Sequence, residues 1–341
     1  MRFRVILPLL STALLGLWSI SPRAADTLPS RLTDEAYWKL ITDLSENPPG
    51  NYPFDVFTGN EPGYQEMLPE LTKTVAPGGT YLGVGPEQNY TYIAALRSKI
   101  AFVIDIRRDQ MLEHLMYKFL FEKSPDRSDF VGRLFSRKRP ASLTADSPVQ
   151  DIFRAYGTVA PDTALFEASL KDMLSSLKSA HHFALSENDE KRIRFIYLTF
   201  EQEGLVTFRS SQESPGYTRL MTSTDAAGRN WSYLASNENY NRVRDMFEKN
   251  LIVPLVGDFS GPKTVRMAGQ FLRDHGAIVN VFYVSNVEDY IQPSWSGYVG
   301  NITSLPVDSS STFVRWTIGS RPPWLGSISE FVRTWSSRNG R

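Results

Sequence analysis

Two buried strands separated by a helix constrain the fold of this chain more than any other feature. The ranges 80–84 and 101–105 are short, mostly apolar runs, and the second is rich in β-branched residues. Residues 89–97 have a helical pattern, and a strongly amphipathic helix is predicted over 107–123. Strand, helix, strand and helix at this spacing predict a βαβ unit, in which the two strands lie parallel in one sheet.

The same alternation returns in the last third of the chain. Strands are predicted at 251–256 and 277–284, with a fifth near 312–316. We therefore expect an α/β fold with a doubly wound, mostly parallel sheet, Rossmann-like, over residues 76–341. The intervening range of about 124–235 predicts a mostly helical insertion.

Two helix starts can be predicted from capping residues. Residues 26–75 form a helical and loop segment, in which Thr33 is placed to cap the first helix. Asn237 or Asn239 is expected to cap the helix that precedes the third strand. The chain closes with a predicted helix over 325–335.

The N-terminus has the pattern of a secretory signal peptide. Arg2 and Arg4 precede a 16-residue stretch without charge, followed by a short segment that ends at Ala25. Cleavage after Ala25 places Arg23 where a small residue is preferred, so an uncleaved membrane anchor is the alternative, and a buried N-terminal helix is a third. With residues 1–25 as a signal, the mature chain is exported and periplasmic or secreted.

Composition excludes several classes of function. Lys and Arg total 37, as do Asp and Glu, so there is no electrostatic reason to expect a nucleic-acid partner. The chain has no cysteine, which excludes disulfides, thiolate metal sites and a cysteine nucleophile. Its four histidines are scattered, apart from one adjacent pair whose side chains cannot share a helix face, so no metal is expected.

Candidate binding residues lie at the carboxyl ends of the predicted strands, where such sheets bind ligands. Gly83 and Gly85 permit a tight turn after the first strand, and Asp105 ends the second strand, where it can accept hydrogen bonds from a ribose diol. Glu87 and Gln88 stand where a dinucleotide fingerprint has its last residues. A carboxylate there opposes a pyrophosphate but suits a cation, so a nucleoside with a positive charge, such as S-adenosylmethionine, fits this loop.

The same residues carry a resemblance to the class I S-adenosylmethionine-dependent methyltransferase fold, over roughly 76–120 and 250–318. The stretches YLGVGPEQNYTYIAAL and FVIDIRR resemble, more closely, an uncharacterised family of exported bacterial proteins with such a core. The resemblance implies that Asp258 meets the adenine and that Ser285 and Asn286 line the reactive end. The third glycine of the methyltransferase turn is absent.

Structural alternatives remain for most of these residues. Asp105 is equally suited to cap the next helix or to pair with a neighbouring arginine, and Asp258 or Ser260 is suited to cap a helix near Pro262. Asn286 and Glu288 are weak catalytic candidates beyond the fourth strand. Because S-adenosylmethionine is made in the cytoplasm, export favours the alternative of a non-catalytic binding or interaction protein on the same scaffold.

Overall fold

The computed structural model describes residues 26–47, 56–203, 216–317 and 323–339. The predicted signal peptide at 1–25 lies outside these residues. None of the helices in the described ranges is both long enough and apolar enough to cross a membrane.

A six-stranded, mostly parallel sheet forms the centre of the fold, in the order β3-β2-β1-β4-β5-β6. The first five strands are parallel, and β6 runs antiparallel to β5. Successive strands move outward from β1 to β3, and the chain then returns to place β4 on the other side of β1. Open α/β sheets bind ligands outside the carboxyl ends of the two strands at such a reversal, and we call the region beyond the ends of β1 and β4 the crevice. The strands are β1 (Thr80–Gly83), β2 (Ile100–Asp105), β3 (Ile252–Val256), β4 (Val281–Ser285), β5 (Thr312–Arg315) and β6 (Trp324–Ser327).

Helices surround this sheet, and the predicted α/β class with a mostly parallel sheet is confirmed. The described part of 124–235 contains helices α5 to α9, a π-helical turn at Ser176–Ala180, and no strand. The α-helices in the described ranges are α1 (Asp34–Leu44), α2 (Leu68–Thr74), α3 (Gln88–Leu96), α4 (Arg108–Lys123), α5 (Arg127–Leu134), α6 (Val149–Tyr156), α7 (Thr163–Ser175), α8 (Glu187–Glu203), α9 (Tyr217–Thr222), α10 (Asn237–Glu248), α11 (Thr264–Asp274), α12 (Trp295–Thr303) and α13 (Ile328–Asn339).

Helix caps and strand ends show where local patterns succeed and fail. Thr33 caps α1 as predicted, because its hydroxyl accepts from the backbone N–H of Ala36. The cap of α10 is Ser236, so the prediction of Asn237 or Asn239 was wrong by one position or more. Residues 277–280, predicted as strand, form the connection before β4. There Asn280 uses its side-chain oxygen to accept from Thr80 N–H at 2.8 Å.

The predicted closing helix begins later than expected, because the residues before it form β6. Gly326 pairs with Phe313 of β5, and a Cβ at this glycine would lie 2.6 Å from a guanidinium nitrogen of Arg315. The missing side chain lets Arg315 lie across the edge strand. Hydrogen bonds to β5 therefore decide the conformation of residues 324–327 over their local preference.

Helix α4 is buried on all sides, so the prediction of a strongly amphipathic helix there was wrong. All residues from 110 to 121 are buried. The helix contacts β2 and β3, and α8 and α10 cover it. Two ion pairs fix α8 to the start of α4: Arg108 Nε lies 2.6 Å from Asp189 Oδ1, and Arg192 contacts Asp109 through Nε at 3.0 Å. The polar residues of α4 are therefore interior groups.

Close packing where β3 ends gives a first test of the fold. A Cβ at Gly257 would lie 2.4 Å from the Cβ of Thr264 in α11, so Gly257→Ala should lower the free energy of unfolding by about 1–3 kcal/mol. Gly300→Ala, within α12, is the matched control: its Cβ meets only a flexible nitrogen of Arg266 at 3.2 Å, and it should add about 0.5–1 kcal/mol. Urea denaturation measures both, and equal effects would contradict this packing.

Candidate functional site

The turn after β1 is filled from inside by one side chain of α3. Asn89 donates through Nδ2 to the carbonyls of Val84 at 2.9 Å, Gly85 at 3.1 Å and Pro86 at 2.7 Å. A Cβ at Gly83 would lie 2.0 Å from Asn89 Oδ1, so glycine at this position makes room for the asparagine. Gly85 has a positive φ of 77°, and nothing lies within 4 Å of the position of a Cβ there. The outer side of the turn is therefore open at Gly85.

Glu87 is completely buried behind this turn. Both carboxyl oxygens lie 3.2 Å from the backbone N–H of Gly59, which donates to them. Burial raises the pKa of Glu87 to about 8, against the lowering effect of the Gly59 hydrogen bond. Glu87 is therefore mainly protonated at pH 7. Its charge contributes correspondingly little against a phosphate at this turn.

Glu113 of α4 is the most unusual group near this turn. The residue has no exposed surface, and neither carboxyl oxygen has a hydrogen-bond partner among the described residues. Burial, followed by the neighbouring carboxyl groups of Glu87 and Asp105, raises the pKa of Glu113 well above its ordinary value. A buried polar group without a partner costs about 1–3 kcal/mol, so the fold alone gives no reason for a glutamate here.

Two amide oxygens nearby also lack partners. Gln88 donates through Nε2 to Glu61 Oε2 at 3.1 Å and is left with an unpaired Oε1. Gln110 donates through Nε2 to the carbonyl of Val56, and its Oε1 is likewise unpaired. The Val56 carbonyl can only accept, so it fixes which end of the Gln110 amide is the oxygen. Both amide oxygens are left without a donor among the described residues, and an unpaired hydroxyl, that of Tyr117, is also buried in α4.

Glu61 closes the crevice on the β4 side. It accepts from Tyr283 OH at 2.7 Å and from the hydroxyl of Ser285. Burial raises the pKa of Glu61, and its three hydrogen bonds lower it by less. Ser285 has a φ of 51° where the register between β4 and β5 shifts. Together with Gly59, which binds Glu87, this glutamate holds residues 56–61 against the carboxyl ends of β1 and β4.

His114 connects the turn to the core. Its Nε2 lies 3.1 Å from the carbonyl of Gly85, and its Nδ1 lies 2.5 Å from Tyr90 OH. A carbonyl can only accept, so Nε2 carries the proton and Nδ1 accepts from the tyrosine. Burial lowers the pKa of His114 to about 4, so the ring is neutral at physiological pH. It is a positioning group for Gly85.

Two other predicted binding residues, Asp105 and Asp258, lie at the ends of β2 and β3. Asp105 ends β2 and is buried, and it accepts from the backbone N–H of Arg107 at 2.9 Å. Burial raises the pKa of Asp105, against the charge of Arg107. Asp258 accepts from the N–H and hydroxyl of Ser260, at 2.8 and 2.7 Å, so it orders its own turn. Neither Asp258 nor Ser260 caps α11, which begins at Thr264 without a side-chain cap.

The two weak catalytic candidates lie beyond β4. Asn286 accepts from the Ser285 hydroxyl at 3.3 Å and is partly exposed. Glu288 accepts from Tyr298 OH at 2.9 Å and from Arg315 Nε at 3.0 Å, which gives it a structural role. The structure thus brings Gly83, Gly85, Glu87, Gln88 and Asp105 together and leaves Asp258, Asn286 and Glu288 at the edge.

Sequence reasoning missed Glu61, Glu113 and His114. Glu61 lies in a segment rich in Pro, Gly and Asn, and Glu113 and His114 lie in a helix expected to expose its polar face. No group of three or more His, Asp or Glu side chains within the described ranges is arranged to hold a metal ion. The site is thus an acidic, acceptor-rich crevice in an α/β protein.

Comparison with known proteins places the chain in a family without giving it a function. The chain belongs to the family described as Domain of unknown function (DUF7790), which matches residues 57–335. Every side chain of the crevice falls inside this range, including Glu61. No curated protein matches the chain.

The pKa of Glu87 predicts how stability depends on pH. Because the folded pKa of about 8 exceeds the ordinary value of 4.5, its contribution to stability is complete below pH 4.5 and is lost as pH rises to about 8. Relative to Glu87→Gln, the wild type should lose about 1.4 kcal/mol per pH unit within that interval and level off above it. Urea denaturation from pH 5 to 9 measures this, and parallel curves would refute it.

Two glutamates of α4 should respond oppositely to the same substitution. Glu113→Gln removes an unpaired carboxyl group and should leave the free energy of unfolding unchanged or raise it by about 1–3 kcal/mol. Glu122→Gln should lower it by a similar amount, since Glu122 accepts from the buried Lys118 at 2.6 Å and from His181 at 3.0 Å. Denaturation at pH 7 compares them, and a loss with Glu113→Gln would show a partner for that carboxyl.

Proposed function

We propose that the crevice binds S-adenosylmethionine or a related nucleoside, on a methyltransferase-like core. The observation that carries the proposal is the carboxyl group of Glu87 behind an open glycine turn, with Asp105 at the end of the neighbouring strand. A dinucleotide would need free backbone N–H groups at this turn, whereas a nucleoside bearing positive charge tolerates carboxyl groups there.

The strand order supports the same core. Five parallel strands in the order β3-β2-β1-β4-β5 put the reversal between β1 and β4, and an antiparallel last strand lies beside the fifth. Asp105 has one oxygen bound to Arg107 N–H, and a carboxylate offers about four acceptor positions. It therefore retains capacity to accept from the two hydroxyls of a ribose.

Methyl transfer is the reaction that such a cofactor implies. The transfer needs the acceptor atom, the methyl group and the sulfur held in line more than it needs acid–base catalysis. Asn286 is better placed than Glu288 to orient an acceptor, because Glu288 is engaged by Arg315.

A binding protein without transfer activity is the second candidate. Glu61 fills the β4 side of the crevice, where an acceptor would approach, and is held there by Tyr283 and Ser285. An exported location, as the N-terminal pattern predicts, would favour the same candidate, because S-adenosylmethionine is made in the cytoplasm.

Titration calorimetry with S-adenosylmethionine and S-adenosylhomocysteine tests the proposal. The wild type should bind both, and Asp105→Asn should weaken both by about tenfold or more through loss of a charged acceptor for the ribose. Asp274→Asn, an exposed change on α11, is the control and should bind as the wild type does. Absence of heat and of thermal stabilisation with both compounds would refute the proposal.

A further inference from the structure

We infer that the interior of the crevice contains a subsite for a primary ammonium group, and that Glu113 is the residue that selects for it. The inference deepens the proposed function, since it names the chemical group of the ligand that enters deepest. It assigns a role to a residue outside the predicted set, on the middle of α4 instead of a strand end.

The first argument is a group of buried acceptor oxygens that have no hydrogen-bond donor among the described residues. Glu113 contributes two unpaired oxygens, and Gln110, one turn earlier on the same helix, contributes one. Gln88 contributes another beside Gly59, where a Cβ would lie 2.5 Å from its Oε1. A primary ammonium has three donors and no acceptor, so it can satisfy a carboxylate and two amide oxygens together. A carboxylate or phosphate group would bring acceptors only and would satisfy none of these oxygens.

The second argument is that no cation within the described ranges forms an ion pair with Glu113. The charged groups that act on it are Glu87, Asp105, Arg107 and Asp109. The one cation among them, Arg107, lies 3.5 Å from Asp105 through its Nε. Buried carboxylates are normally paired, whereas the charged groups that act most strongly on Glu113 are the carboxyl groups of Glu87 and Asp105. A ligand cation would supply the missing charge.

The third argument is the position of the subsite relative to the opening. His114, the residue after Glu113, contacts the carbonyl of Gly85, so this turn of α4 lies directly against the loop. Gly85 is partly exposed and has free space on its outer side. A ligand whose nucleoside lies near Asp105 can therefore direct a short amine chain inward past Gly85.

An organic cation fits better than a metal ion. Glutamate and amide oxygens also suit hard cations, but no three acidic or histidine side chains converge within the described residues. Burial raises the pKa of Glu113 and an ammonium group would lower it, so binding should be coupled to the release of protons. At pH 7 the heat of binding should then vary with the ionisation enthalpy of the buffer.

Three nucleosides separate the ammonium from the rest of the ligand. Decarboxylated S-adenosylmethionine has an ammonium and a sulfonium, its demethylated thioether form has only the ammonium, and 5′-methylthioadenosine has neither; none of the three carries a carboxylate. The wild type should bind the first two at least about tenfold more tightly than the third. Glu113→Gln should remove this preference and leave the affinity for 5′-methylthioadenosine unchanged. Glu122→Gln, measured below its unfolding temperature, should keep it.

The outcomes distinguish this inference from the proposed function. Binding of all three nucleosides with equal affinity would leave the nucleoside site standing and overturn the ammonium subsite. A preference that survives in Glu113→Gln would also overturn the role of Glu113. If no nucleoside binds, the proposed function fails, and the subsite is tested with ethylammonium chloride against sodium and magnesium chloride at equal ionic strength.

This last comparison uses thermal unfolding of the wild type and Glu113→Gln. Stabilisation by ethylammonium in the wild type alone would support an ammonium subsite in a protein with a different ligand. Equal or greater stabilisation by sodium or magnesium would identify an inorganic cation site and overturn the inference. Stabilisation by none of the three salts would overturn it as well, and would mean that water fills the space beside Glu113.

Discussion

The burial of α4 from residue 110 to residue 121 is the constraint on which the rest of the structure depends. Strands β2 and β3 lie against this helix, and α8 and α10 cover it. Each polar residue of the helix must therefore find a partner inside the protein or remain unsatisfied. Lys118 is only 1% exposed and meets this demand with three acceptors, Glu122, the carbonyl of Phe247 and Asn250. The carboxyl group of Glu113 has no partner among the described residues, and the proposed ammonium subsite rests on this difference from Lys118.

Burial also changes the protonation of the carboxyl groups in the crevice. The carboxyl groups of Glu61, Glu87, Asp105 and Glu113 all have raised pKa values, with desolvation as the largest cause in each case. The free crevice is consequently less negative than its composition indicates. A cationic ligand would reverse this, because it stabilises the ionised carboxylates that burial disfavours. Much of the negative charge of these carboxyl groups would thus appear only when a cationic ligand binds.

The sequence predicts the strands and turns that are determined by residues close together along the chain. Apolar runs placed β1 to β5, and the rule that parallel strands end at one edge brought Gly85, Glu87 and Asp105 into one crevice. Prediction from sequence fails where contacts with residues far away in the chain determine a conformation or the burial of a side chain. Strand β6 exists because β5 offers hydrogen bonds, and Glu61 is buried because Tyr283 and Ser285 bind it. A polar residue in a helix indicates a solvent-facing side, and only the packing of α8 and α10 makes Glu113 interior.

Two glutamates on the same helix show that the isolation of Glu113 is not forced by the fold. Glu122 is partly buried and has both Lys118 and His181 within 3.0 Å, and these partners outweigh burial and lower its pKa. The chain can thus place cations beside a carboxylate of α4 where it needs stability. Beside Glu113 it places the carboxyl groups of Glu87 and Asp105, and in the proposed subsite a donor from outside the chain would compensate the cost of that arrangement. Residues that break local rules in this way are expected at functional sites.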